Sequence, residues 1–256
     1  MNLYTFMHDK YVGTLSTSIN DLIFHYDPTY IEETNAESLS HSIPVSDWEY
    51  TSFDCLHFFN ALLPEGPLLE NISLQTFISE YSTMKLLNML GGDCSGAISF
   101  ISSYENDYKT SEKVLKQARK LTVQNYQELN EEELKTLILN NTKKPFFISN
   151  KSFKMTLCGD QEKLALSYFN DKWHLPMTYA PTTHILKPSF KEGEEDLSVN
   201  EFICIKLAEN LGLKVPETSL FFEDNIPVLV SKRFDRCIDE KHNCIKKYHQ
   251  VSFSQA

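Results

Sequence analysis

Pro181-Thr182-Thr183-His184-Ile185-Leu186-Lys187-Pro188 reads as a short strand, Thr183 to Lys187, that ends on a lysine. A helix signal follows from Leu197 to Leu211. Within it Asn200, Glu201, Phe202, Ile203, Leu207 and Ala208 keep helical spacing, and Gly212 is placed as the left-handed residue that ends it. Upstream, Lys163 to Phe169 and Trp173 to Leu175 are apolar strands joined by a two-residue turn at Asn170-Asp171. Before them lies a glycine turn, Thr156-Leu157-Cys158-Gly159-Asp160-Gln161. Downstream, Thr218 to Phe222 and Pro227 to Ser231 form a hairpin across Glu223-Asp224-Asn225.

Glycine turn, strands, a strand with an inward lysine, a helix with an early glutamate and a closing hairpin make the skeleton of an ATP-grasping lobe. In such a lobe N–H groups of the turn cover phosphates, the lysine neutralises phosphate oxygens, and the glutamate holds the lysine in place. Each residue also has a plain reading. Lys187 alone is a solvated lysine at a strand end, Glu201 a surface residue of an amphipathic helix, and Gly159 an ordinary turn glycine. Their shared order favours the functional reading.

The first half has a different texture. Alternation over Leu3 to Met7, a polar break at His8-Asp9-Lys10 and resumption over Tyr11 to Leu15 predict a β-hairpin, with a further strand at Leu22 to Tyr26. Asp54 to Leu63 has helical spacing and stops at Pro64, whose ring cannot continue a helix interior. A second helix is expected from Leu74 to Met89, broken by Gly91-Gly92, and then a buried strand from Gly96 to Ile101. From Ser103 to Lys144 the chain turns polar and reads as a bridge. Its one firm element is a helix opened by Asn130, with Glu131, Glu132 and Glu133 favouring the N-terminal dipole and Leu134, Leu137 and Ile138 as its apolar stripe. The domain plan is therefore 1–103, a bridging segment 104–144, and 145–256, in an α+β fold with a small N-terminal α/β subdomain.

The chain has 256 residues, 41 % of them hydrophobic, and a net charge of −11. That is enough apolar material for a core and too acidic for direct grip on a phosphate backbone, so any DNA contact is expected to run through a partner. No run of about 18 apolar residues occurs, and the N-terminus lacks a basic segment followed by an apolar one, so a cytoplasmic protein without membrane contact is expected. The six cysteines are scattered without a C-x-x-C pair and read as reduced thiols. Cys237 and Cys244 with His242 and His249 fit no common zinc spacing. No metal ligand set is assigned.

The same residues carry a family resemblance. Gly159-Asp160-Gln161-Glu162-Lys163-Leu164-Ala165-Leu166 resembles the glycine-x-glutamine-x-lysine loop of the HipA-type serine/threonine kinase toxins, and Pro181 to Pro188 resembles their nucleotide-lysine strand. Asn200-Glu201, Leu207 to Pro216 and Arg233-Phe234-Asp235-Arg236 follow in the family's order. Val12 to Leu15, Ser38 to Pro44, Asn60 to Pro67 and Gly92 to Ala97 look like its N-terminal subdomain.

The resemblance implies a kinase-like small lobe over 145–256 that binds ATP with Mg²⁺ through Leu157, Gly159, Gln161, Lys163, Lys187, Glu201, Arg233 and Phe234. It implies a small helix-turn-helix, HipB-like antitoxin as partner, DNA reached only through that antitoxin, and an aminoacyl-tRNA synthetase as phosphorylation target. Thr156 stands where the family carries a regulatory serine, which makes it a candidate phospho-acceptor. Phe221, Phe222 and Phe234 are expected in the core or the adenine-pocket wall, and His184 as a packed strand residue.

Two departures stand out. Asp160 occupies the place of a small residue and would set a carboxylate beside polyphosphate. The family's Asp-Gly-His-x-x-Asn catalytic loop and its metal-binding aspartate do not occur within these 256 residues. Taken by itself the polypeptide is expected to be catalytically silent. It reads as a truncated product, as a piece of a longer chain, or as a non-catalytic antitoxin-binding module derived from such a toxin.

Overall fold

The computed structural model describes residues 1–18, 21–103, 125–140, 159, 161–177, 179–189, 196–241, 244–253 and 255. The first unit opens with a hairpin of β1 (Asn2–Met7) and β2 (Lys10–Ser18), turned through His8 (φ 50°) and Asp9 (φ 63°). Two successive left-handed residues match the twist of the flanking strands. After β3 (Asp21–Tyr26) come α1 (Pro28–Ile31), β4 (Glu49–Tyr50), α2 (Ser52–Asn60), α3 (Gly66–Thr76), α4 (Thr83–Leu90) and β5 (Ile98–Ser103). The strands form one antiparallel sheet in the order β4-β3-β2-β1-β5. Leu3, Val12, Leu15 and Phe24 from the sheet meet Phe58, Phe59, Leu86, Leu87 and Phe100 in a closed core.

The single helix expected from Leu74 to Met89 is instead α3 and α4. The chain leaves the helix at Phe77, left-handed at φ 57°, and turns through Ser79 to Ser82, where the Ser82 N–H donates to the Ser79 carbonyl at 2.9 Å. Apolar residues continue at helical spacing across this turn, but Leu74, Phe77 and Tyr81 all point to solvent. Periodicity thus ran through a turn of which only Ile78 packs on the core among its described apolar residues.

The second unit is a sheet ordered β10-β11-β9-β7-β8-β6, all antiparallel: β6 (Asn125–Glu128), β7 (Leu164–Phe169), β8 (Lys172–Met177), β9 (His184–Pro188), β10 (Thr218–Glu223) and β11 (Ile226–Lys232). α5 (Glu131–Asn140) covers one face, burying Ile138 with Leu164, Leu166, Leu186 and Val228. Asn130 opens α5 reciprocally: its side chain accepts from the Glu133 N–H and its own N–H donates to the Glu133 carboxylate, both at 2.9 Å. The bridge expected to hold only this helix also contains β6, which pairs with β8. Four mostly polar residues are too few to signal a strand.

On the other side of the sheet lies α6 (Leu197–Asn210). It ends as its sequence suggests, with Gly212 at φ 81°. The Gly212 N–H reaches the Glu209 carbonyl and the Leu213 N–H the Ala208 carbonyl, so the last carbonyls are satisfied. Beyond β11 a two-stranded ribbon, β12 (Arg236–Asp239) with β13 (Cys244–Lys247), leads into a tail that lies on the first unit. There the Leu39 carbonyl lies 2.9 Å from His249 Nε2, and Val251 packs against the first core. Among the described residues no helix is long and apolar enough to cross a membrane.

Candidate nucleotide pocket

Strand alternation sets the site. In β9, Leu186 is fully buried between Leu164 and Val230, so Ile185 and Lys187 fall on the opposite face, toward α6. The first turn of α6 is tied to the end of that strand. Ser198 donates its hydroxyl to the Lys187 carbonyl, and its N–H donates to the Ser189 hydroxyl at 2.8 Å. One turn on, Glu201 Oε1 accepts a hydrogen bond from Lys187 Nζ at 2.6 Å. The pair is only partly exposed, 21 % for Lys187 and 30 % for Glu201, so solvent screens it incompletely.

Lys187 borders a cavity of about 340 Å³ together with Gly159, Gln161, Lys163, Arg233 and Phe234, and with Ser95 from the first unit. Gly159 adopts φ 94°, and a Cβ there would sit 3.2 Å from Lys163 Nζ. Glycine is thus favoured by the backbone angle, while the one neighbour of such a Cβ is the movable end of a lysine side chain. Gln161 Nε2 is buried without a hydrogen-bond partner among the described residues, so this cavity carries an orphaned donor on its wall. Cations dominate the lining. Lys163, Lys187, Lys232 and Arg233 face Asp235 as the one acid among the lining residues.

The structure therefore brings six of the residues singled out in the sequence to one cavity and sets Glu201 against its lysine. Leu157, Thr156 and Asp160 lie outside the described residues. Of the three phenylalanines expected in the core or the pocket wall, Phe222 is in neither, being 62 % exposed, Phe234 is 72 % exposed and edges the cavity, and Phe221 packs partly on the second core. His184 is half-buried in a ring cluster with Tyr168 and Trp173, bordering a separate groove of about 930 Å³. Burial, seconded by Lys232, lowers its pKa to about 4.

Behind the cavity lies a set of buried charges that the sequence reading did not assemble. Arg233 is held by Asp235 through Nε at 2.9 Å and Nη2 at 2.7 Å, and by Asp93 at 3.3 Å. Arg236 donates to Asp93 at 2.8 Å and to the carbonyls of Cys94 and Gly96. Burial opposes the charge on Asp93, but Arg236, Arg233 and Lys247 outweigh it and hold the carboxyl well below the usual carboxylate range. The signal available was the alternation Arg233-Phe234-Asp235-Arg236: like charges one residue removed from an acid pack only where partners neutralise them.

Residues 3–101 match the family model of the HipA N-terminal domain, and residues 155–256 match that of the HipA-like C-terminal domain. The chain belongs to the HipA family. Among curated relatives it is 27 % identical over 236 residues to the protein Y4mE of Sinorhizobium fredii, covering 92 % of this chain and 54 % of that one. It is 26 % identical to the serine/threonine-protein kinase toxin HipA of Shewanella oneidensis, covering 100 % and 55 %. The fold matches a chain of the Shewanella oneidensis MR-1 complex of HipA, HipB and operator DNA at TM-score 0.69 and 22 % identity, over 96 % of this chain and 54 % of that one. This HipA-family chain thus spans about half the length of the relatives it matches.

Proposed function

We propose that this chain is the ATP-grasping and antitoxin-contacting half of a serine/threonine protein kinase toxin, with a subdomain at 1–103, a connection at 104–144 and a kinase-like small lobe at 145–256. The observation that carries the reading is the Lys187–Glu201 pair, 2.6 Å apart, at the edge of a cavity rimmed by four cations in a chain of net charge −11. A cavity of that sign concentrates polyphosphate against the field of the whole molecule.

In this reading Lys187 meets phosphate oxygens while Glu201 fixes its position. Gly159 lets the backbone come close to the ligand, the unpaired Gln161 amide gains its missing acceptor, and exposed Phe234 walls the base side. Leu157 and Lys163 complete the loop. ATP, when bound, supplies the phosphoryl group to be transferred. Among the described residues no group of three or more His, Cys, Asp or Glu is placed to hold a metal ion.

The same proposal includes cytoplasmic residence, a HipB-like antitoxin as partner with DNA reached through it, and an aminoacyl-tRNA synthetase as phosphoryl acceptor. The match to a HipA–HipB–DNA complex supports the antitoxin. Thr156 is the candidate phospho-acceptor of the loop, checked by mass spectrometry of the chain after incubation with an intact kinase of the family; an unmodified Thr156 removes it. A second reading is a non-catalytic antitoxin-binding module derived from such a toxin. Autophosphorylation of the purified 256-residue chain would exclude it. The nucleotide reading is tested by calorimetric titration with MgATP. Saturable binding is expected in the wild type and its loss in Lys187→Met at unchanged melting temperature; equal binding by both overturns it.

A further inference from the structure

The first unit grips the cavity at two points. At one end Pro64 forms a parallel bridge with Gly159, and the Glu65 N–H reaches the Gly159 carbonyl at 3.5 Å. At the other, Asp93, on the turn between α4 and β5, is 1 % exposed and divides its carboxylate between two jobs. Oδ1 accepts from Arg236, and Oδ2 accepts from Arg233 and from both the N–H and the hydroxyl of Thr182, at 2.9 and 2.8 Å. The Thr182 hydroxyl also lies 2.9 Å from Arg233 Nη1. Thr182 precedes β9, the lysine strand, while Arg233 and its neighbour Phe234 form the facing wall. One carboxylate therefore fixes the spacing between the two walls, from a unit that supplies only Ser95 among the described lining residues.

We propose that Asp93 is a positioning residue of the nucleotide pocket, acting across the junction between the two units. The inference rests on the nucleotide reading above. Asp93 touches no ligand; it holds Arg233 and Thr182 so that Phe234 and Lys187 face each other at binding distance. A buried carboxylate with four donors cannot be replaced by a neutral group without leaving guanidinium protons unpaired, and the wall then relaxes toward solvent. It follows that whatever binds the first unit and moves the turn at Asp93 moves the pocket with it.

The test uses the whole 256-residue chain as Asp93→Asn and as Thr182→Val, a near-isosteric change that deletes the hydroxyl contacts to both Asp93 and Arg233. Leu86→Ala, in the first core, serves as a variant that lowers the melting temperature without touching the junction. Amide hydrogen exchange over residues 231–235 without ligand, and calorimetric titration with MgATP, are the two measurements. Both junction variants should speed that exchange and weaken MgATP about ten-fold, the loss expected for a charged hydrogen bond, while Leu86→Ala changes affinity less than about two-fold. Should Asp93→Asn fail to fold, Thr182→Val carries the comparison. Native exchange and affinity in a folded Thr182→Val chain, or the same loss in Leu86→Ala, overturns the proposal. A wild-type chain that binds no MgATP overturns the nucleotide reading instead, while accelerated exchange in the junction variants alone would still uphold the positioning of the wall.

Discussion

Lys187 would be an ordinary strand-end lysine but for Ser189 and Ser198, whose hydrogen bonds bring the first turn of α6 against β9 and so put Glu201 within 2.6 Å. The titratable residues carry a pH prediction. His184 has its pKa lowered to about 4 by burial, against about 6.5 when unfolded, so the unfolded chain takes up a proton that the folded chain refuses. Stability therefore falls as pH drops from about 6.5 to about 4. Asp93 and Asp235, both lowered in the fold, add stability that is present above the ordinary carboxylate value of about 4 and is lost as pH falls through their lowered values. Melting temperatures between pH 7 and 3 should decline in these two stages, and His184→Gln should flatten the upper one. An unchanged upper slope in that variant removes His184 as the cause.

Elements were legible where a local rule and the tertiary fold agreed. The turns at His8-Asp9, Asn170-Asp171 and Asp224-Asn225 are all left-handed at both residues, as the polar breaks between apolar runs suggest. Gly212 is another such case. No atom lies within 4 Å of a Cβ built there, so Gly212→Ala meets only the left-handed backbone angle and should cost about 1 kcal/mol in denaturant unfolding. No loss would mean that the helix end refits without the Schellman turn. Legibility failed where no local rule applies. β6 is a short edge strand, held by Leu129 and by the Tyr126 hydroxyl donating to the Pro181 carbonyl, and α3 ends at an exposed Phe77. Lys187, Glu201, Gly159 and Gln161 were readable because they stand in order along the chain. Asp93 was not, since its partners Arg233 and Arg236 lie 140 and 143 residues away and only the fold brings them together.

At the scale of the molecule, two sheets with separate cores share one buried charge cluster, and the tail after β13 returns to the first unit. With a net charge of −11, encounter with a basic, operator-binding antitoxin would be steered electrostatically. Size exclusion of the chain with the HipB-like protein should show co-elution at low salt that weakens as salt rises; separate elution at low salt removes the antitoxin reading. The central claim concerns the cavity between Gly159, Lys187 and Phe234, and amide NMR of the ¹⁵N-labelled chain titrated with MgATP examines it most directly. Saturable shifts at Gly159, Gln161, Lys187 and Phe234, with the Trp173 indole of the opposite groove unmoved, are the predicted result. Shifts confined to the Trp173 groove, or none at millimolar MgATP, would contradict it.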